Sequence, residues 1–163
     1  MRKHCWLALM AILFASCISE EDEGSSDLAC PSDDQWPQVS QVVEKRCGTL
    51  DCHGDPSRPL RVYGRNGPRL DPNLIVGGDA GTTTDELAAN RLSVCGLEPE
   101  RMDAVIAGEE DLLTLSVVRK PILDEAHKGG RVFLQTSPGY ICFASWIEGE
   151  ADLAACEEEL AKP

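Results

Sequence analysis

Apolar positions recur along this chain in short helical stretches separated by turn residues. Trp36, Val39, Val42 and Val43 fall on one helical face and predict a helix from about Asp33 or Asp34 to Arg46, which delivers Cys47 at its end. Thr84 and Asp85 read as an N-cap with acidic first-turn residues, opening a helix that runs to about Cys95. Pro99 in a first turn predicts a helix from Glu98 to Ala107, ended by Gly108. Another piece covers Asp111 to Arg119 and stops before Pro121. Ser137 caps a further helix that carries Tyr140, Phe143, Ala144 and Ile147 on one face, with Trp146 beside them, and Gly149 ends it. Asp152 to Leu160 reads as a short acidic helix.

Residues 54–82 break this rhythm. They hold six glycines and four prolines, and only Leu60 to Tyr63 reads as a short extended piece. A loop this long within a compact domain usually has a task. Wrapping a flat cofactor is one such task; a mobile surface insertion is the plainer alternative. The fold class is therefore mainly α, with one long Gly/Pro-rich loop.

The N-terminus has a different grammar. Arg2, Lys3 and His4 precede an apolar run from Trp6 to Phe14 that is too short to span a bilayer. Phe14-Ala15-Ser16-Cys17 then resembles a bacterial lipobox, with Cys17 the lipidated residue. The expected organisation is a lipoprotein signal peptide over 1–16, an acidic lipidated tether over 17–33, and a helical domain over 34–163. The expected location is the cell envelope, anchored through Cys17 and facing the periplasm or cell surface. An ordinary signal peptide is the alternative.

The charge narrows the partners. The chain has 28 acidic and 15 basic residues and a formal net charge of −13. Loss of Arg2 and Lys3 with the signal makes it more acidic still. That argues against nucleic acid, which needs a basic face. Against this background, Lys45, Arg46, Arg58, Arg61, Arg65 and Arg69 make residues 45–69 locally basic, with only Asp51 and Asp55 opposing. They could pair with carboxylates of a cofactor, face an acidic redox partner, or form an ordinary solvated loop.

Export places the cysteines in an oxidising space. Of the eight, Cys5 leaves with the signal and Cys17 goes to lipid. Cys30, Cys95, Cys142 and Cys156 can form two disulfides in three ways. The expected pairing joins Cys95 to Cys142 and Cys30 to Cys156, with Cys142–Cys156 as the competitor.

Cys47 and Cys52 stand apart because His53 follows at once. The order Cys…Cys-His is that of a c-type haem attachment site, normally C-x-x-C-H, here with four residues between the cysteines. Two thiols hold one haem covalently, and the adjacent histidine binds its iron. After signal removal only His53, His127 and Met102 supply histidine or methionine, so the sixth ligand is expected to be His127, with Met102 as the alternative. Gly129 and Gly130 would let the chain around His127 approach a flat ring closely, whereas Met102 lies in a helix, where methionine usually fills core. A zinc site of Cys47, Cys52, His53 and His127 is disfavoured by the adjacency of Cys52 and His53. No nucleophile elbow, P-loop or dinucleotide fingerprint is present.

Cys47, Cys52, His53 and Gly54 on a loop after a helix resemble the start of a class I cytochrome c domain. The later residues His127-Lys128-Gly129-Gly130, then Tyr140 and Trp146-Ile147-Glu148-Gly149, resemble cytochrome c-like domains of planctomycete and myxobacterial envelope proteins. The resemblance implies a cytochrome c-like helical fold in which the tyrosine-to-tryptophan helix packs against the helix before the haem motif. It implies one covalent haem c on Cys47 and Cys52 with His53 on the iron, single-electron transfer to an envelope redox partner, and no enzymatic turnover. The four-residue gap departs from the family pattern. The alternative is a haem-free, disulfide-stapled lipoprotein serving as a binding or structural module.

Overall fold

The computed structural model describes residues 29–163; the signal peptide, Cys17 and most of the tether fall outside the described residues. These residues form six α-helices and no strand: α1 Trp36–Cys47, α2 Thr84–Cys95, α3 Pro99–Ile106, α4 Ser116–Ile122, α5 Pro138–Ile147 and α6 Leu153–Ala161, with a 3-10 turn at Leu112–Thr114 before α4.

Helix α1 is the centre of the packing and contacts α2, α5 and α6. Trp36, Val39, Val42 and Val43 are all buried, as their spacing requires. Their partners include Trp146 of α5, whose ring centre lies 4.5 Å from that of Trp36. Both indoles are satisfied within the fold: Trp36 Nε1 donates to the Leu87 carbonyl and Trp146 Nε1 to the Ser32 carbonyl. Large aromatic rings bury the most area per residue, so this pair sets how α5 lies on α1. Lys45, in the last turn of α1, donates to the carbonyls of Glu159, Leu160 and Lys162, tying α1 to the C-terminal end of α6. A cation there also suits the helix dipole.

Two disulfides staple the bundle, Cys30–Cys95 and Cys142–Cys156. The expected pairing of Cys95 with Cys142 and Cys30 with Cys156 is not formed; the competitor, Cys142–Cys156, is. Cys142 and Cys156 face each other because α5 and α6 form an antiparallel hairpin across a short turn. Cys30 instead meets the end of α2, and Arg91 donates to the carbonyls of Cys30 and Pro31 there. The chain from Cys30 onward thus belongs to the folded domain, which begins earlier than the boundary expected at 34.

Helix α2 starts as its composition suggests, but one residue earlier in its capping. Thr83 is the N-cap and forms a reciprocal capping box with Glu86. The stretch 111–119 divides into the 3-10 turn and α4, and α4 runs through Pro121 instead of stopping before it. The Pro121 carbonyl accepts from the backbone N–H groups of Val132 and Phe133, so the helix end is used to hold the following segment.

Residues 54–82 contain neither helix nor strand. The extended piece at Leu60–Tyr63 forms no ladder because side chains of α2 satisfy its backbone. Asn90 accepts from Tyr63 N and donates to Tyr63 O, and Ser93 Oγ accepts from Arg61 N. Farther along, the buried Glu86 carboxylate accepts from Leu70 N and from both Nε and a terminal nitrogen of Arg69, whose side chain is itself buried. The inward face of α2 is therefore partly polar and acts as a scaffold for the loop.

Candidate functional site

The first turn of the long loop begins where α1 ends. Cys47 closes α1, and the chain from Gly48 to Gly54 curls back on itself. The N–H of His53 donates to the Cys47 carbonyl at 2.9 Å, while Cys52 N and Gly54 N both donate to the Thr49 carbonyl. The four residues between the cysteines are looped outward, with Leu50 exposed at the tip. Cys47 and His53 are thus neighbours despite the wide gap. Gly54 is obligatory for this curl: a Cβ there would sit 2.4 Å from the Gly48 carbonyl oxygen and 2.7 Å from that of Thr49. Gly67 makes a similar close approach, 2.5 Å from the Gly48 oxygen, and brings the far part of the loop against the motif.

Beside this curl lies a cleft of about 640 Å³, within the usual range for small-molecule sites. Cys47, Cys52 and His53 line one side and His127, Lys128 and Gly129 the other. Cys47 and Cys52 are both free thiols. Burial, and next the charge of Cys52, push the Cys47 thiol up to about 12, so it is protonated at neutral pH.

The two imidazoles face each other across the site. Their ring centres are 6.0 Å apart and their planes differ by only 8°. Each is oriented by a backbone carbonyl: His53 Nδ1 donates to Leu60 O at 3.1 Å, and His127 Nδ1 to Gly130 O at 2.8 Å. A carbonyl only accepts, so Nδ1 carries a proton in both rings and Nε2 is the nitrogen that remains for another partner. A carbonyl on Nδ1 is what fixes tautomer and orientation in metal-ligating histidines. Burial lowers the His53 pKa below the ordinary value; the Leu60 carbonyl opposes this, while His127, Arg58 and Lys120 add to it. His53 is therefore neutral at pH 7.

The remaining wall is basic: Arg46, Arg58, Lys120 and Lys128, opposed by Asp51. Of the six basic residues between 45 and 69, only Arg46 and Arg58 reach the cleft. Arg69 is spent on Glu86, Arg65 on the Gly78 carbonyl, and Lys45 on the end of α6. Lys120 and Lys128 complete the wall, and their one sequence signal was nearness to His127. The Leu60 carbonyl had none, because it is a backbone group placed by the loop. The long loop contributes only Arg58 and Pro59 besides the motif, so most of it packs over α2 and does not wrap the cleft.

Met102 lies elsewhere. It is 1 % exposed, inside the hydrophobic core, and does not line the cleft. Among the described residues, no three His, Cys, Asp or Glu side chains are gathered closely enough to hold a bare metal ion. No helix among them is long and apolar enough to cross a membrane. Comparison of the chain with protein families, with curated proteins and with solved structures gave no match.

Proposed function

We propose that this cleft holds one covalently attached haem and that the protein relays single electrons as a cytochrome c-like lipoprotein of the cell envelope, anchored through Cys17. The observation that carries the reading is the pair of parallel imidazoles at 6.0 Å, each with Nε2 free, beside two unpaired thiols. A metal–imidazole bond is about 2 Å and a ring centre lies about 1 Å behind its nitrogen, so 6.0 Å is the spacing that two rings ligating one metal from opposite sides would need, with both stacked rings turned edge-on to it.

In this reading Cys47 and Cys52 would hold the group by thioethers, His53 would ligate iron through Nε2, and His127 would ligate it from the opposite face. The bound haem supplies the one-electron chemistry. The carbonyls of Leu60 and Gly130 keep both rings aimed and raise their basicity. Arg46, Arg58, Lys120 and Lys128 would balance the carboxylates of such a group and hold its edge. Ligation by two histidines gives a lower potential than histidine with methionine, and the burial of Met102 in the core favours the former.

The test is expression of the mature chain with a haem-maturation system, followed by acid and organic extraction. A visible haem band that stays with the denatured protein, and is lost in Cys47→Ala/Cys52→Ala, is expected. A colourless protein from that system refutes the reading and favours the haem-free, disulfide-stapled module.

A further inference from the structure

We propose that Arg46, gripped by the buried carboxylate of Glu159, is a positioning residue that keeps His127 opposite His53. As a statement about iron ligation, this rests on the haem reading above; as a statement about where the two imidazoles sit, it does not.

His127 lies on an irregular segment between α4 and α5. That segment is fastened mostly to α4. Leu123 N and Asp124 N donate to the Lys120 and Arg119 carbonyls, Glu125 pairs with Arg119 and Lys120, and Val132 N and Phe133 N donate to Pro121 O. The turn around His127 is closed internally, with Gly130 N donating to the His127 carbonyl. None of these bonds sets the distance from His127 to α1, the helix that ends in Cys47 and feeds His53.

Arg46 does. Among the described residues, the hydrogen bond from its terminal nitrogen to the Val132 carbonyl, at 3.4 Å, is the one that joins this segment to α1. The same guanidinium lies 5.9 Å from the centre of the Phe133 ring. It is held from behind, since Arg46 Nε meets Glu159 Oε1 at 3.2 Å. Glu159 is 1 % exposed and cannot drift: its other oxygen accepts from Gly139 N of α5 and from Lys162. Gly139 is itself confined, because a Cβ there would lie 2.5 Å from the Phe133 ring and 2.9 Å from the Glu159 carboxyl carbon. The chain of contact is thus α6, Glu159, Arg46, Val132, and so the wall that bears His127. Arginine presents separate nitrogens to the two acceptors, Nε to Glu159 and a terminal nitrogen to Val132, whereas lysine has one shorter-reaching nitrogen that can stay on Glu159 without spanning to Val132.

Arg46→Lys is the decisive variant, because it keeps the charge beside Glu159 at a partly exposed site and removes the second arm. Arg46→Met removes the link altogether, and Glu159→Gln removes the charge that holds the guanidinium in place. Glu98→Gln serves as control: Glu98 is likewise tied to backbone, accepting from Ser116 N, but has no contact with the cleft. In haem-loaded protein, the three link variants are expected to retain covalent haem yet lose the low-spin two-imidazole spectrum in favour of high-spin bands, as His127→Ala does, while Glu98→Gln keeps it. In haem-free protein, magnetisation transfer between the ring protons of His53 and His127 is expected to weaken in Arg46→Lys and Arg46→Met and to persist in Glu98→Gln. Folded Arg46 variants that keep the wild-type spectrum and the wild-type ring-to-ring signal overturn the proposal. A wild-type protein that takes up no haem refutes the haem reading alone, and the ring-to-ring measurement still decides the role of Arg46.

Discussion

Replacing Arg69 with methionine should be among the most damaging single changes to this domain, although Arg69 lies in an irregular loop. Its side chain is 2 % exposed and that of Glu86 is 0 %. The carboxylate accepts from Arg69 Nε at 2.8 Å, from the same guanidinium again at 3.0 Å, and from the backbone of Leu70 and Thr83. Burial alone would raise the Glu86 pKa, but these hydrogen bonds and the Arg69 charge outweigh it and hold the carboxyl below its ordinary value. Removing the cation leaves a buried charge with only backbone partners, which costs about 3–5 kcal/mol. A domain of this size has about 5–15 kcal/mol in all. With a urea slope of about 2 kcal/mol per M, the midpoint should fall by roughly 2 M. Indole fluorescence reports it directly, because Trp36 Nε1 is bonded to Leu87 in the same helix as Glu86. Arg69→Met/Glu86→Gln should recover part of the loss, since neither buried charge remains. The pH dependence has a definite sign. Glu86 is depressed in the folded state, so its contribution is present above the unfolded value of 4.5 and disappears as pH falls below it. The wild-type advantage over the double variant should shrink in that acid window. A midpoint change too small to resolve in Arg69→Met, or losses that simply add in the double variant, would refute the reasoning.

Cys30→Ala/Cys95→Ala should lower stability by about 4 kcal/mol and Cys142→Ala/Cys156→Ala by about 3, from loop-closure entropy over separations of 65 and 14 residues, read as urea midpoints. Met102→Ala should cost about 2–5 kcal/mol by leaving a core cavity, yet leave the visible spectrum of haem-loaded protein unchanged. Glu44→Gln should stabilise the domain at neutral pH. Burial raises the Glu44 pKa, so the folded state binds that proton more tightly and the native carboxylate loses stability as pH rises through its folded pKa; the wild-type deficit against Glu44→Gln, followed by thermal melting, should therefore vanish in acid. Gly54→Ala should abolish covalent haem incorporation, because its methyl would collide with two backbone carbonyls inside the curl that joins Cys47 to His53.

The helices were legible because each carries its own instruction. Trp36, Val39 and Val42 mark an apolar face, Pro99 and Pro138 start helices, and Gly149 follows one, all within a few residues of the structure they specify. The extent of α4 is not legible, since Pro121 in sequence is a helix breaker, while the fold keeps it in the helix and uses its carbonyl to hold Val132 and Phe133. The polar underside of α2 was also hidden. Glu86 and Asn90 are buried only because the loop that they pin lies over them.

The candidate site divides along the same line. Cys47, Cys52 and His53 were visible in the sequence because their chemistry depends on order over seven residues, which chain connectivity preserves. His127 could be named as one of few possible ligands, but not placed. Its position opposite His53 depends on Arg46, Glu159 and Pro121, contacts that span up to 113 residues of chain between α1 and α6. Disulfide pairing failed for the same reason: parity counts the cysteines, whereas only the packing of α5 on α6 and of Cys30 on α2 decides which sulfurs meet. What the sequence determined by itself was local, set by backbone preference and residue order. What the tertiary structure decided was every distance between residues remote in the chain, because those distances are set by how buried faces and buried charges find partners.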